Sequence, residues 1–430
     1  MSSPRAVAAS IIHRVMGGHS LNRLLPTALD ATDETQRPLC QELVYGTLRE
    51  WPYLTAICQG FLAKPLRRKD QDVMALLCVG IYELERLNTP AHAVVSETVN
   101  AARSLKKSWA TGVINGVLRS FQRATTPADT LSVAEQRALP MWLHDRLTAE
   151  YGDGIEQIAL AARTRPPMAL RVNRQSTLRE DYLKTLTTAG VSASACVSTE
   201  DGVVLERPMD VTTVPGFLDG AASVQDSAAQ HVAHIMAPQP GERILDACAA
   251  PGGKACHLLE LQPALEELIA ADVSAPRLQR VLENSARLGI TLTTAVADAS
   301  ALPDTLLASP FDAILADVPC SATGVLRRNP DIKILRQPDD IDGFARQQLA
   351  ILKGLWPALA VDGRLLYVTC SLLQAENDDV IARFAASNDG AVVEPLQLSE
   401  GLARQYGWQT LPDPKGGDGL YFSLLRKTAG

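Results

Sequence analysis

No C-x-x-C pair occurs in this sequence, although eight cysteines are scattered through it, at 40, 58, 78, 196, 248, 256, 320 and 370. Zinc ribbons and thioredoxin-like redox sites both need that spacing, so neither reading has support. No apolar run approaches the ~20 residues of a membrane-spanning helix. The opening "MSSPRAVAASIIHRVMGG" has no long apolar segment followed by a small-residue cleavage site. A cytoplasmic protein is therefore expected, and there a chain of this size is a poor candidate for a disulfide framework. Most of the thiols should be small buried hydrophobes, with one or two reactive. G-x-G-x-x-G is missing as well, which weakens a dinucleotide reading. Long repeats and low-complexity tracts are lacking, and no metal site is expected.

The 430 residues imply two or three domains, and 46% hydrophobic with 21% charged residues is a globular balance. The net charge of −7 is uneven. Residues 1–140 carry 16 Lys+Arg against 12 Asp+Glu, while the remainder carries 25 against 36. The basic excess gathers in "KPLRRKD" (64–70) and "RSLKK" (103–107), which suits a phosphate backbone.

Apolar residues at helical spacing recur through 1–140, from "SPRAVAASIIHRVM" to "ATGVINGVLRSFQR", and predict an all-helical bundle. "ATTPADTLSVAEQRALP" (124–140) reads as a linker. Residues 141–220 mix a helix, "WLHDRLTAEYG", with short strands "PPMALRVN" and "GVVLERP", predicting a small α+β connector. From 221 to 430 strands and helices alternate. Strands are expected at "RILDAC", "ELIAAD", "TLTTAVAD", "FDAILAD" and "GRLLYVTC", then "AVVEPL" and "GLYFSLLRK". This alternation predicts an α/β, doubly wound, Rossmann-like sheet with ligands at its carboxyl ends.

An acid ends the first of these strands, and a small-residue loop with Gly252 and Gly253 leads into a helix. Glycines admit a ligand close to the backbone, and the helix start offers free N–H donors. The loop lacks the Ser/Thr and the longer glycine spacing of a phosphate loop. Asp272 ends the second strand, where an acid can take a ribose hydroxyl pair, and Asp298 ends the third, near an adenine. Each acid is also a possible helix cap, but together with the glycine loop they suit an adenosyl ligand lying across the sheet edge.

Five stretches carry a resemblance: "VQDSAAQ" (224–230), "LDACAAPGGK" (245–254), "DVPCSATGVLRRNPDIK" (317–333), "YVTCS" (367–371) and "GGDGLYFSLLRK" (416–427). In this order and spacing the chain resembles the RNA 5-methylcytosine methyltransferases, in the branch that modifies small-subunit ribosomal RNA, also called Fmu or Sun. "YGTLR" and "INGVLR" resemble the NusB-like RNA-binding domain fused to that branch. The resemblance implies S-adenosylmethionine as cofactor. It places the cofactor pocket at Cys248, Ala249, Ala250, Pro251, Gly252, Gly253 and Lys254, with Asp272, Asp298 and Asp317. Val318 stands where many members have Ala, and Ala255 where many have Thr; neither change removes a reacting group.

Carbon 5 of cytosine is a poor nucleophile until something adds to carbon 6, and a thiolate does this well. Cys320 and Cys370 both follow strand ends, and chemistry alone assigns either one. The resemblance implies that Cys370 attacks and Cys320 aids product release, with Asp317 holding the base edge. Lys254 is a candidate for lowering a thiol pKa or meeting a phosphate. Amino-group methylases put an aromatic after Asp/Asn-Pro-Pro, where this chain has cysteine. The target must lie in a loop or be flipped out. Arg327, Arg328 and Lys333 are expected beside the cysteine as phosphate contacts. The partner is expected to be small-subunit ribosomal RNA and the protein a monomer. Transfer RNA as substrate, or a non-catalytic RNA-binding or antitermination role, are the alternatives.

Overall fold

The computed structural model describes residues 3–125 and 128–429. The chain divides into two compact units, Met1–Arg165 with Leu326–Pro338, and Pro166–Val325 with Asp339–Gly430.

The first unit is helical throughout. Its helices Pro4–Met16, Arg37–Arg49 and Ala91–Ser104 pack around Gln71–Arg86. That central helix is buried on every side from Val73 to Glu83, as a helix at the middle of a bundle must be. Its one buried acid, Glu83, takes two hydrogen bonds from Arg5, at 2.7 and 2.6 Å. Buried charges persist only when paired in this way.

Segment 124–140 is more ordered than its composition suggests, apart from residues 126–127, which lie outside the described residues. It forms a short helix, Val133–Gln136, closed by a capping box between Ser132 and Glu135, and it buries Ala138 and Leu139. Helices Met141–Tyr151 and Ile155–Arg163 also fall in the first unit, although the sequence pattern gives them to the connector. Arg163 reaches Glu50 at 2.7 Å and stacks 5.4 Å from the centre of the Tyr53 ring.

Leu326–Pro338 joins the same unit, and this corrects an expectation. Arg327 and Lys333, expected as free phosphate contacts, are only 1% and 4% exposed, and Arg328 is half-buried. The carbonyl of Arg327 accepts from Arg49 Nε at 2.8 Å. Lys333 Nζ donates to the carbonyls of Arg49 and Ala162. Both carbonyls lie at helix C-termini, where unpaired oxygens and the helix dipole favour a cation. Burial still pulls the ammonium down to about 7. Sequence charge marks this segment as basic; helix-end acceptors take it inside.

In the second unit a small antiparallel sheet comes first: β1 Met168–Val172, β2 Ala193–Ala195, β3 Gly202–Leu205 and β4 Ala222–Val224, in the order β2-β3-β1-β4. Helix Arg179–Thr188 covers it with Tyr182 and Leu186. The large sheet contains β5 Arg243–Asp246, β6 Glu267–Asp272, β7 Thr293–Val296, β8 Phe311–Asp317 and β9 Leu359–Thr369. These five are parallel, in the order β9-β8-β5-β6-β7. The last strands are β10 Ala391–Glu394, β11 Leu402–Ala403, β12 Trp408–Gln409 and β13 Tyr421–Lys427. β13 runs antiparallel to β9 and pairs with β10 and β12 on its other side.

Alternate residues of each strand enter two separate cores. Leu245, Ile314 and Ala316 face one, and Ile244, Ala313 and Leu315 face the other. Burial on both faces is why Ala313–Ala316 reads as an unbroken apolar run. The chain builds outward from β5 to β7, then returns beside β5 with β8. The strand order therefore reverses between β5 and β8, where parallel sheets of this kind hold their ligands.

Candidate active site

Five adjacent strands deliver the expected residues to one edge. In sheet order they are Asp298 beyond β7, Asp272 at the end of β6, the 248–254 loop after β5, Asp317 at the end of β8 with Cys320 just after it, and Cys370 after β9.

The loop after β5 is shaped for a ligand. Gly252 has φ +96°, and a Cβ there would meet Val281 at 2.9 Å, so glycine is required on both counts. A Cβ on Gly253 would meet nothing within 4 Å. The start of helix Gly253–Leu261 is thus open on that side. Asp272 is buried and accepts from the backbone N–H of Ser274 at 3.0 Å and of Ala250 at 3.4 Å. Arg277 sits 3.2 Å from it. Asp298 is exposed, and its hydrogen bonds stay in its own turn, from Ser300 Oγ at 2.7 Å and Ser300 N at 2.8 Å. Those two bonds hold its carboxyl below the usual value. Burial pushes the Cys248 thiol far up, and its side chain packs against one of the two cores of the sheet.

Asp246, absent from the expected ligands, is the most unusual group in this unit. It is fully buried, and neither carboxylate oxygen has a hydrogen-bond partner among the described residues. Burial, and then the neighbouring Asp317, push its pKa up to about 7. An orphaned buried acid is costly to keep and suits a cationic or hydrogen-bond-donating ligand group. Its signal in the sequence is its place at the end of the central strand.

Lys254 leaves the glycine loop and bonds Asp317 Oδ2 at 2.6 Å. Burial opposes its charge, but Asp317, and after it Asp246 and Cys370, carry its pKa above the ordinary lysine value. The side chain therefore stays an ammonium between two acids and a thiol.

The two cysteines meet. Cys320 Sγ and Cys370 Sγ lie 3.3 Å apart, with Cys320 at 9% exposure and Cys370 half-buried. The contact with Cys370, then burial, pushes the Cys320 thiol well above its usual value, so Cys320 keeps its proton. Both cysteine loops are tied to Glu376, which is fully buried. Glu376 accepts from Ser321 N at 2.7 Å, Ser371 Oγ at 2.6 Å and Gln348 Nε2 at 3.1 Å. Gly324 N bonds the Cys370 carbonyl at 2.9 Å, and a Cβ on Gly324 would strike the Gly419 carbonyl at 1.9 Å. Glu376 and Gln348 carry no motif signal; their role emerges only from the fold.

Three family descriptions match the chain in turn: the NusB family at residues 2–123, a ferredoxin-like domain of RsmF/B-like methyltransferases at 139–212, and the 16S rRNA methyltransferase RsmB/F at 233–426. The ribosomal RNA small subunit methyltransferase B of Pseudomonas syringae pv. tomato is 45% identical, across 99% of this chain and 97% of its own. The chain belongs to the 16S rRNA methyltransferase RsmB/F family. The relative of the same name from Pseudomonas putida is also 45% identical, across 99% of both chains. The crystal structure of PH0851 superposes with a TM-score of 0.82 over 99% of both chains at 21% identity, and so shares the fold. A methyltransferase homolog from Pyrococcus horikoshii has a TM-score of 0.60, 27% identity, and covers 69% of this chain and all of its own. Members of this methyltransferase family use S-adenosylmethionine. The open face at Gly253, the cradle at Gly252 and the unpaired Asp246 fit such a ligand.

Proposed function

We propose that the protein methylates carbon 5 of a cytosine in 16S ribosomal RNA by way of a transient bond from Cys370. S-adenosylmethionine, when bound, supplies an electrophilic methyl group on a sulfonium sulfur. The 248–254 loop, Asp272 and Asp298 would hold it, with Asp246 free to meet a cationic part of it.

Cys370 adds its sulfur to carbon 6 of the ring, and the electron pair of the 5,6 double bond makes carbon 5 nucleophilic. Lys254 supports this step by holding Asp317 at 2.6 Å, which fixes the acid at the sheet edge where Cys370 lies. Asp317, oriented by Lys254, accepts a hydrogen bond from the exocyclic amine and fixes the base edge. Once carbon 5 is methylated, its proton leaves to a base. The electron pair then returns to the ring, and the bond to Cys370 breaks. Cys320 holds a proton 3.3 Å from that sulfur and is placed to assist its departure.

The pairing of the two sulfurs at the β8 and β9 edges, beside Lys254 and Asp317, carries this reading. The relatives' name supports ribosomal RNA as substrate. The test is transfer of labelled methyl to unmodified 16S ribosomal RNA, followed by mapping of the labelled nucleotide. The reading requires label in 5-methylcytosine. Label only on an exocyclic nitrogen or a ribose would overturn it.

A further inference from the structure

A second feature lies entirely within the helical unit. The 62–70 loop and the start of helix Thr111–Arg123 enclose a cleft of about 690 Å³. Trp109 forms part of its wall and is 55% exposed, which is unusual for the largest apolar side chain. Val113, 37% exposed, lies one helical turn on and extends the apolar wall. Across the cleft stand Lys64, Arg67 and Lys69, all exposed and without an ion pair among the described residues.

The walls are pre-set. Lys107 Nζ bonds the Lys69 carbonyl at 3.0 Å and Asp70 at 2.8 Å, and Asp72 lies 3.2 Å away. One lysine thus ties the basic loop to the segment that bears Trp109 and neutralises the acids beneath it. Lys64, Arg67 and Lys69 are left exposed along the cleft.

We infer that this cleft is a single-stranded RNA subsite, in which an unstacked base lies on Trp109 and the adjoining phosphates meet Lys64, Arg67 and Lys69. An exposed indole beside a row of unpaired cations is the arrangement that holds single strands without reading sequence. A duplex offers phosphates but no free base face, so it gains nothing from the indole. The inference rests on the proposed reading that RNA is the substrate. It adds a contact that seizes a strand away from the reacting cytosine.

The test is equilibrium binding of the full-length protein to a labelled oligouridylate, with a blunt-ended RNA duplex as the control. Trp109→Ala should weaken single-strand binding roughly 5- to 100-fold, the range that loss of one stacked base produces. Trp109→Phe should recover most of that loss, and the blunt-ended duplex should be bound unchanged by Trp109→Ala. Changing Lys64, Arg67 and Lys69 together to Ala should lower the salt slope of single-strand binding by about 2. Equal single-strand binding by wild type and Trp109→Ala would overturn the inference, as would an equal loss on the blunt-ended duplex. An oligoglutamate peptide that competes in a Trp109-dependent way would assign the cleft to a protein partner instead. Because the readout is binding, a failure of cytosine methylation refutes the proposed function and leaves this result standing.

Discussion

Cys320 Sγ and Cys370 Sγ face each other at 3.3 Å, from loops that leave neighbouring parallel strands. A mild oxidant such as diamide, which accepts the two electrons and two protons, should join them as a disulfide. Methyl transfer should then stop and return on addition of dithiothreitol. Peptide mapping should find the 320–370 link. A Cys320→Ser variant should show no such link. Oxidised enzyme that keeps full activity while carrying the link would contradict the role of Cys370 as nucleophile.

Asp246 is a group the fold keeps at a cost. Its folded pKa of about 7 lies above the ~4 of an unfolded aspartate. The native state therefore binds more protons than the unfolded state between those values. The stability tied to this group is complete below about pH 4 and is lost as pH rises through about 7. Asp246→Asn removes that loss. Urea unfolding should find the variant close to wild type near about pH 4, and more stable by on the order of 1–4 kcal/mol near about pH 8. Binding of S-adenosylmethionine by the variant should weaken. An equal stability gap at both pH values would refute the assignment.

Glu376 joins both cysteine loops through three donors, Ser321 N, Ser371 Oγ and Gln348 Nε2. Glu376→Gln puts an amide NH2 where an acceptor is needed, leaving a buried donor without a partner. The cost should be about 2–4 kcal/mol in chemical denaturation. Turnover should fall more than RNA affinity, because the sulfurs lose their fixed spacing. An unchanged unfolding midpoint would show that the network is dispensable.

Much of the catalytic unit could be read directly from residue pattern. Strands Glu267–Asp272 and Phe311–Asp317 fall where the apolar runs place them, because burial on both faces keeps Leu268–Ala271 and Ala313–Ala316 apolar. Strand Leu359–Thr369 begins earlier than the "GRLLYVTC" pattern suggests. Its first residues pass through Asp362, at φ +62°, and no alternation marks that turn. The two-residue strands Leu402–Ala403 and Trp408–Gln409 exist only as partners of longer neighbours, so no local signal announces them. Lys333 shows the limit of charge as a guide, since its burial depends on carbonyls of Arg49 and Ala162 far away in sequence. The cysteines were legible as strand-end residues, but that their sulfurs touch is a property of the folded sheet. Asp246 was visible as an acid closing a strand; that its carboxylate finds no hydrogen-bond partner among the described residues was not.

The most direct test is a denaturing gel of wild type, Cys370→Ala and Cys320→Ala after incubation with 16S ribosomal RNA and S-adenosylmethionine. Cys320→Ala should form a protein–RNA band that survives denaturation, whereas Cys370→Ala should form none and transfer no methyl. A persistent band with Cys370→Ala, and none with Cys320→Ala, would exchange the roles of the two thiols and contradict attack by Cys370.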